Sequence, residues 1–321
     1  MPTFVIAAMV GVLMLGSCLA PVPVEKPPDR VFSMKGVGID IPQQDFTDMK
    51  NAGISVLATE WGMEQSTEKA REFLDKAHKA GLKVVMDGGF SYTAWGFNDD
   101  DWEQLPEGKR PVWQKERIQA WIRALKDHPA IYAWDISNEF GENLPSGVAA
   151  VNSSWPESMI TTDQLKQARA DVLAVDDTRP IHARMYGWDV DKMPPHVQAM
   201  LENKIADLIS LNLYSNYLDK VQLQWPTVIA DAGEYFVESI KQKAPGTKVW
   251  ISLSAFEYPN IFQRPTAAEL ERDIIGSLKI SGLDGISFFC WGPVDQWDSK
   301  SNWYLPQSGA DLWQVIRQSI R

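Results

Sequence analysis

The sequence predicts an α/β protein, a single (β/α)8 or TIM barrel, and three observations lead to this prediction. Eight short apolar segments typical of buried strands alternate with seven or eight amphipathic helical segments. The length of 321 residues fits one barrel with its loops, although it could also hold two average domains. Hydrophobic residues make up 45% of the chain and charged residues 23%, which excludes a disordered composition. The regular alternation favours a barrel over a doubly wound sheet.

The first half of the barrel region contains four strand signals, each a short and mainly apolar run without a helical stripe. These predicted strands span 33–39, 54–60, 83–90 and 131–140. The helix predicted over 67–80 carries one apolar stripe and ends at Gly81, a suitable C-terminal stop. The helix predicted over 113–126 also repeats apolar residues at helical spacing.

The second half repeats the same alternation. The predicted strands span 180–188, 206–214, 248–254 and 285–291. The predicted helices cover 162–175, 194–203, 231–243, 266–279 and 311–320. In a barrel built this way the carboxyl ends of all eight strands open at the same mouth, where the active sites of such barrels lie.

The N-terminal residues have the pattern of an export signal. An apolar run over 5–15 is shorter than the roughly 20 residues of a membrane span, and it leads into Leu-Gly-Ser-Cys, which ends at Cys18 and resembles a bacterial lipobox. We therefore expect a signal peptide over 1–18 and a cell-envelope lipoprotein or secreted protein, which touches the membrane only through a lipid on Cys18. Prolines predict a stiff tether over 19–30, followed by the barrel domain over 31–321.

The charge and the histidines exclude several partners. A net charge of −11 argues against nucleic acid and against attraction to anionic lipid. None of the four histidines pairs with another at a metal-ligand spacing, and no Gly-rich phosphate loop is present. We therefore expect neither a metal nor another cofactor. A neutral polysaccharide or oligosaccharide substrate remains compatible with the charge.

The segment Ile131–Phe140, Ile-Tyr-Ala-Trp-Asp-Ile-Ser-Asn-Glu-Phe, organises the rest of the chain. A mainly apolar strand here runs directly into Asn138 and Glu139. A carboxylate at the downstream end of a buried strand is not explained by packing, because a buried charge without a partner is costly. We interpret Glu139 as a catalytic carboxylate and Asn138 as a substrate-positioning amide. The alternative is that Glu139 caps a helix or forms an ion pair at the strand end.

From residue 31 to its C-terminus, the chain resembles the clan A glycoside hydrolases, and among them the cellulase-like family 5. The resemblance is most specific at Trp-Asp-Ile-Ser-Asn-Glu over 134–139 and is supported by Ala-His-Lys-Ala-Gly-Leu-Lys-Val over 77–84. It implies a (β/α)8 barrel that cleaves a β-linked glycan, with Glu139 as the acid/base and Asn138 as a hydroxyl-binding amide. It also implies that Tyr214 supports the nucleophile and that Trp291 floors the first sugar subsite. Cleavage of a glycoside requires two carboxyl groups that flank one bond.

The chain departs from the family at the nucleophile. The expected position at the end of the seventh strand is Leu253, and the next carboxylate is Glu257, which lies eight positions after the start of its strand, as Glu139 does. We therefore predict Glu257 as the nucleophile and retention of configuration; the alternative for Glu257 is an exposed loop acid. Glu60 and Asp87, each near the end of a strand, are the other acids that could complete the pair.

Several further side chains are candidates for the rim. Three tryptophans follow strands and could stack on sugars or pack in loops: Trp61, Trp95 and Trp188. His182 and Arg184 alternate along the fifth strand with Tyr186, and we favour the inward orientation, in which they bind substrate or carboxylate. Asp135 reads as a structural hydrogen-bond acceptor, and Asp295 and Asp298 as loop acids. Because strand seven lacks the usual acid, a non-catalytic carbohydrate-binding lipoprotein on the same scaffold remains the alternative to an O-glycosyl hydrolase.

Overall fold

Eight parallel strands pair in chain order and close into a barrel, with β1 hydrogen-bonded to β8. The computed structural model describes residues 28–34, 41–63, 65–87, 95, 112–139, 160–186, 193, 195–216, 228–257, 262–292 and 303–320. The strands are β1 Asp29–Met34, β2 Val56–Thr59, β3 Lys83–Asp87, β4 Ile131–Asn138, β5 Ile181–Tyr186, β6 Leu208–Asn212, β7 Lys248–Ser254 and β8 Gly285–Phe289. The predicted (β/α)8 barrel is therefore confirmed.

Helices cover the outside of the barrel. Those that the structure describes are α1 Gln43–Asn51, α2 Thr67–Lys79, α3 Lys115–Leu125, α4 Thr162–Leu173, α5 Pro195–Glu202, α6 Val228–Lys243, α7 Ala267–Ser277, α8 Leu305–Ser308 and α9 Ala310–Ser319. Two of them begin with a capping box, in which Thr161 pairs with Gln164 and Thr266 pairs with Glu269. None of the described helices is long and apolar enough to cross a membrane.

The two faces of each strand bury different residues. Outward side chains such as Phe32, Ile251 and Leu253 belong to the large apolar cluster between the barrel and the helices. Inward side chains at the bottom of the barrel form a small separate cluster, which contains Val31, Val56, Ala58, Val85, Ala133, Leu208 and Trp250. Because side chains alternate along a strand, these assignments fix which residues further along each strand point inward.

The strand boundaries differ from the predictions mainly at the ends. β7 has the predicted bounds, whereas β1 begins at Asp29, within the predicted tether. The backbone N–H of Asp29 donates to the carbonyl of Asp284 beside β8, so the chain joins the barrel there. The predicted signal peptide, including Cys18, lies outside the described residues.

Candidate active site

A buried layer of charged side chains lies beneath the mouth of the barrel. Arg184 on β5 points inward, with Nη1 2.5 Å from Glu60 Oε1 and Nε 3.1 Å from Asp135 Oδ2. His182, one inward position earlier, lies with Nδ1 3.1 Å from Asp135 and with Nε2 2.7 Å from the hydroxyl of Ser210. The inward orientation expected for His182 and Arg184 is therefore what the structure contains, and both contact carboxylate.

The acids of this layer act on the pKa of Arg184. Burial alone would lower the pKa of Arg184, but the negative charges of Glu60, Asp135 and Asp87 raise it above its usual value. Asp87 ends β3 with its side chain fully buried, and its backbone N–H donates to the hydroxyl of Thr59. Among the described residues no group of three or more His, Cys, Asp or Glu side chains is arranged to hold a metal ion. The acids of this layer instead surround a guanidinium.

Glu139 stands directly after β4, above this layer. Its backbone has φ +58°, a left-handed conformation that is uncommon for a residue with a side chain. Its N–H donates to the carbonyl of Arg184 at 2.8 Å, and Asn212 Nδ2 donates to its Oε1 at 2.7 Å. The carboxylate, which is only partly buried, is thus held by an amide from β6. Asn138 ends β4, is also partly buried, and pairs in register with Arg184.

Tyr214 lies close to two of the candidate acids. Its hydroxyl is hydrogen-bonded to Ser252 on β7, and its ring packs 5.7 Å from Phe289 at the end of β8. Burial raises the pKa of Tyr214 well above its usual value, and the negative charges of Glu139 and Glu60 raise it further. The phenol is therefore neutral and lies within electrostatic reach of both carboxylates.

The end of β7 differs from what the resemblance implies. Leu253 points outward into the apolar cluster against the helices, while Trp250 marks the inward face, so Ser252 and Ser254 are the inward residues. Glu257 follows the strand with an exposed side chain, and none of the described residues forms a hydrogen bond or ion pair with it. The backbone just before it is anchored, because Asn216 Nδ2 donates to the carbonyl of Phe256 at 3.2 Å.

The tryptophans proposed as sugar platforms are buried where the structure describes them. Trp291 is 1% exposed, its indole N–H donates to Asp45 on α1, and its ring lies 5.0 Å from that of Trp313. β8 ends at Phe289, and Trp291, two positions later, packs against α1 and α9 on the outside of the barrel. Trp61 packs edge-on against Phe73 of α2.

Trp95 is likewise buried, with its ring 5.0 Å from that of Trp113. Some candidates lie outside the described residues: Trp188, Asp295, Asp298 and the side chain of Tyr186. The structure therefore brings together Glu139, Asn138, Tyr214, Glu60, Asp87, His182 and Arg184, and it leaves Glu257 on the exposed loop. Sequence reasoning missed Asn212 and the central position of Asp135. Strand alternation from Leu208 would have pointed to Asn212, and alternation from Ala133 would have pointed to Asp135.

Comparisons with known proteins agree with the fold. No protein-family model and no curated protein sequence matches the chain. Among solved structures, it is similar to a GH2 β-galacturonidase from Eisenbergiella tayi bound to galacturonate, with a TM-score of 0.59 and 16% identity over 92% of this chain and 51% of that one. A β-galactosidase from the psychrophilic Marinomonas ef1 has a TM-score of 0.59 and 13% identity over 91% of this chain and 59% of that one.

A GH5_18 protein from Bifidobacterium longum subsp. infantis also has a TM-score of 0.59, with 14% identity over 91% of this chain and 78% of that one. The chain spans about half of the length of the first of these structures. At such low identities the likeness shows the fold alone, and that fold is the parallel eight-stranded barrel.

Proposed function

We propose that the protein is a glycoside hydrolase that cleaves a β-linked glycan, with Glu139 as its general acid/base. The observation that carries the proposal is the placement of Glu139, a partly exposed carboxylate at the mouth that Asn212 orients from β6. Glycoside cleavage needs a carboxyl group that can donate a proton to the leaving oxygen and later remove one from water. Tyr214 and Asn138, both neutral, supply nearby hydrogen-bonding groups without adding charge.

We propose Glu257 as the second carboxylate. Its support is its exposure after β7, where a substrate can reach it, whereas Glu60 and Asp87 are buried around Arg184. A retaining pair has its carboxyl groups about 5–5.5 Å apart and an inverting pair about 6.5–9.5 Å apart. Following the anomeric form of the first product by NMR tests retention directly.

Replacement of Glu139 by Gln tests the assignment. The variant keeps the shape and the hydrogen-bonding capacity of the side chain but cannot transfer a proton. Activity on a glycoside with a poor leaving group should fall by about 10²–10⁴. A variant that is as active as the wild type on every substrate that the wild type cleaves would rule out Glu139 as the acid/base.

A non-catalytic glycan-binding protein is the second candidate, and one observation favours it. The inward residues near the end of β7 are Ser252 and Ser254, so no acid occupies the strand position itself. This candidate predicts glycan binding by titration calorimetry and no turnover on a broad panel of glycosides. Turnover that depends on Glu139 would exclude it.

We further propose that the protein is exported and is anchored to the cell envelope by a lipid on Cys18. The support is the lipobox-like Leu-Gly-Ser-Cys motif. Expression in a bacterial host with labelled fatty acid should label the wild type and leave the Cys18→Ser variant unlabelled. An unlabelled wild type would contradict the anchor.

A further inference from the structure

The inner wall formed by β7, β8 and β1 is lined by small hydroxyl side chains. Ser252 and Ser254 on β7, Ser287 on β8 and Ser33 on β1 share the inward face with Trp250 and Val31. Strand pairing makes them neighbours, because Ser287 is in register with both Ser252 and Val31. We call these four residues the serine wall.

The serine wall presents small side chains to the interior of the barrel. Bulky branched side chains usually fill the interior of such barrels, and serine is much smaller than those residues. On the other side of the interior lie larger groups, those of Asp87, Asp135, His182 and Arg184.

Trp250 lies below the serine wall on the inward face of β7. Its ring stacks on that of Tyr132 with centroids 6.1 Å apart, and it is fully buried. A Cβ atom on Gly285 would lie 2.4 Å from Trp250 Cδ1, so the indole reaches this position only because residue 285 is a glycine. The hydroxyls of β7 thus lie above an aromatic floor on the same inward face of the strand.

One hydroxyl of the wall is buried without a partner. Ser252 is hydrogen-bonded to Tyr214, but the hydroxyl of Ser254, a residue only 4% exposed, has no partner among the residues that the structure describes. Leaving a buried hydroxyl unpaired is unfavourable, so a ligand or water must satisfy it.

We infer that the serine wall is a binding subsite for the hydroxyls of a neutral sugar ring, with Ser254, Ser287 and Ser33 as its specificity-determining residues. The inference rests on the proposed function, since it names the sugar that lies beside Glu139. Tyr214 joins the two parts of the site, because it contacts Ser252 and lies within electrostatic reach of Glu139. A ring held against the wall therefore presents its glycosidic bond toward Glu139.

Binding of glucose, galactose, mannose and xylose to the full-length Glu139→Gln variant, measured by calorimetry, tests the subsite without turnover. Adding Ser254→Ala, Ser287→Ala or Ser33→Ala should each weaken the best-bound sugar by about three- to tenfold, the range expected for one uncharged hydrogen bond. Ser277→Ala is the matched control, because Ser277 is a buried serine without a hydroxyl partner on α7, outside the barrel. It should change the affinity by less than about twofold.

A set of deoxy sugars sharpens the test. If Ser254 binds one sugar hydroxyl, the deoxy sugar that lacks this hydroxyl should bind more weakly than the parent sugar to the protein that retains Ser254. Ser254→Ala should not weaken the binding of that deoxy sugar any further. Ser287→Val should place a bulkier side chain against the sugar and weaken its binding more than tenfold, while the alanine variants remain informative if this one does not fold. Sugar binding that survives all four wall substitutions unchanged would overturn the inference and leave water as the partner of these hydroxyls.

Failure of the inference differs from failure of the proposed function. Glycoside turnover by the wild type with unaltered binding by the wall variants would overturn the subsite alone. Sugar binding that needs the wall, without any turnover by the wild type, would overturn the hydrolase alone. If neither binding nor turnover occurs with any of these sugars and their β-glycosides, both proposals are wrong.

Discussion

Arg184 and Glu60 form a buried ion pair across the interior of the barrel, although 124 positions separate them in the chain. Nη2 of the same guanidinium donates to the carbonyl of Thr59 at 2.9 Å, so the end of β2 is bound twice. The backbone carbonyl of Arg184 accepts the N–H of Glu139. One residue of β5 therefore links the end of β2 to the candidate acid/base after β4.

Replacing Arg184 by Met should destabilise the protein by about 3–5 kcal/mol, because Glu60 and Asp135 would be left as buried charges without their cation. Arg184→Lys should cost less, since it keeps the charge but loses the planar fork. Urea unfolding measures both. Arg169→Met is the control: Arg169 forms a partly exposed pair with Asp207, so its loss should cost at most about 1 kcal/mol. Equal losses at the two sites would contradict the buried network.

Replacing Asn212 by Ala removes the amide that holds Glu139. We expect kcat on a β-glycoside to fall by about tenfold or more, because a misplaced catalytic group lowers the rate of the chemical step. KM should change little, since Asn212 contacts the carboxylate of Glu139. Asn203→Ala, which removes a similar side-chain hydrogen bond from an exposed asparagine after α5, is the control and should leave kcat unchanged. A loss confined to KM would mean that Asn212 binds substrate.

Replacing Glu139 by Gly should raise the free energy of unfolding by about 1 kcal/mol while activity is lost, because glycine adopts a positive φ without steric cost. Lys204 has φ +50° and lies away from the mouth, after α5, so Lys204→Gly should give a similar gain with activity intact. Thermal unfolding and turnover of both variants separate the two effects. A less stable Glu139→Gly protein would show that the contacts of Glu139 outweigh its backbone strain.

His196 should make stability depend on pH. It lies on α5, is 3% exposed, and burial lowers its pKa to about 4. Between about pH 6.5 and pH 4 the unfolded chain binds a proton that the folded chain does not, so stability falls as the pH falls, by up to about 3 kcal/mol. His196→Phe should remove that part of the pH dependence in urea unfolding, and an unchanged slope would contradict the lowered pKa.

The sequence predicts the strands of this barrel well and their inward faces less well. A strand of a parallel barrel is buried on both faces and is therefore mainly apolar throughout. The run over 248–254 thus predicts the length of β7, but it does not show that Leu253 faces the helices. Glu139 and Glu257 each lie eight positions after the start of their predicted strand. That count places them at the same height only if both strands begin at the same height in the barrel. The strands of a barrel are staggered, and β4 also has an irregular register between Asp135 and Asn138.

The contacts that build the site are equally long-range. The hydrogen bond between Asn212 and Glu139 joins residues 73 positions apart, and no local pattern marks such a pair. Only the alternation along β6, once its inward face is known, points to Asn212. For Trp291, a tryptophan after a strand suggests a sugar platform, and no local pattern reveals that its indole N–H donates to Asp45 on α1.

Gly285 lies at the base of β8, beneath the serine wall, and yet it decides where the aromatic floor lies. The indole of Trp250 occupies its place at the bottom of the barrel only because residue 285 has no side chain. Even a methyl group there would displace the indole. A relative of this protein with alanine at this position would therefore have a rearranged barrel floor, although every residue of the serine wall stayed the same.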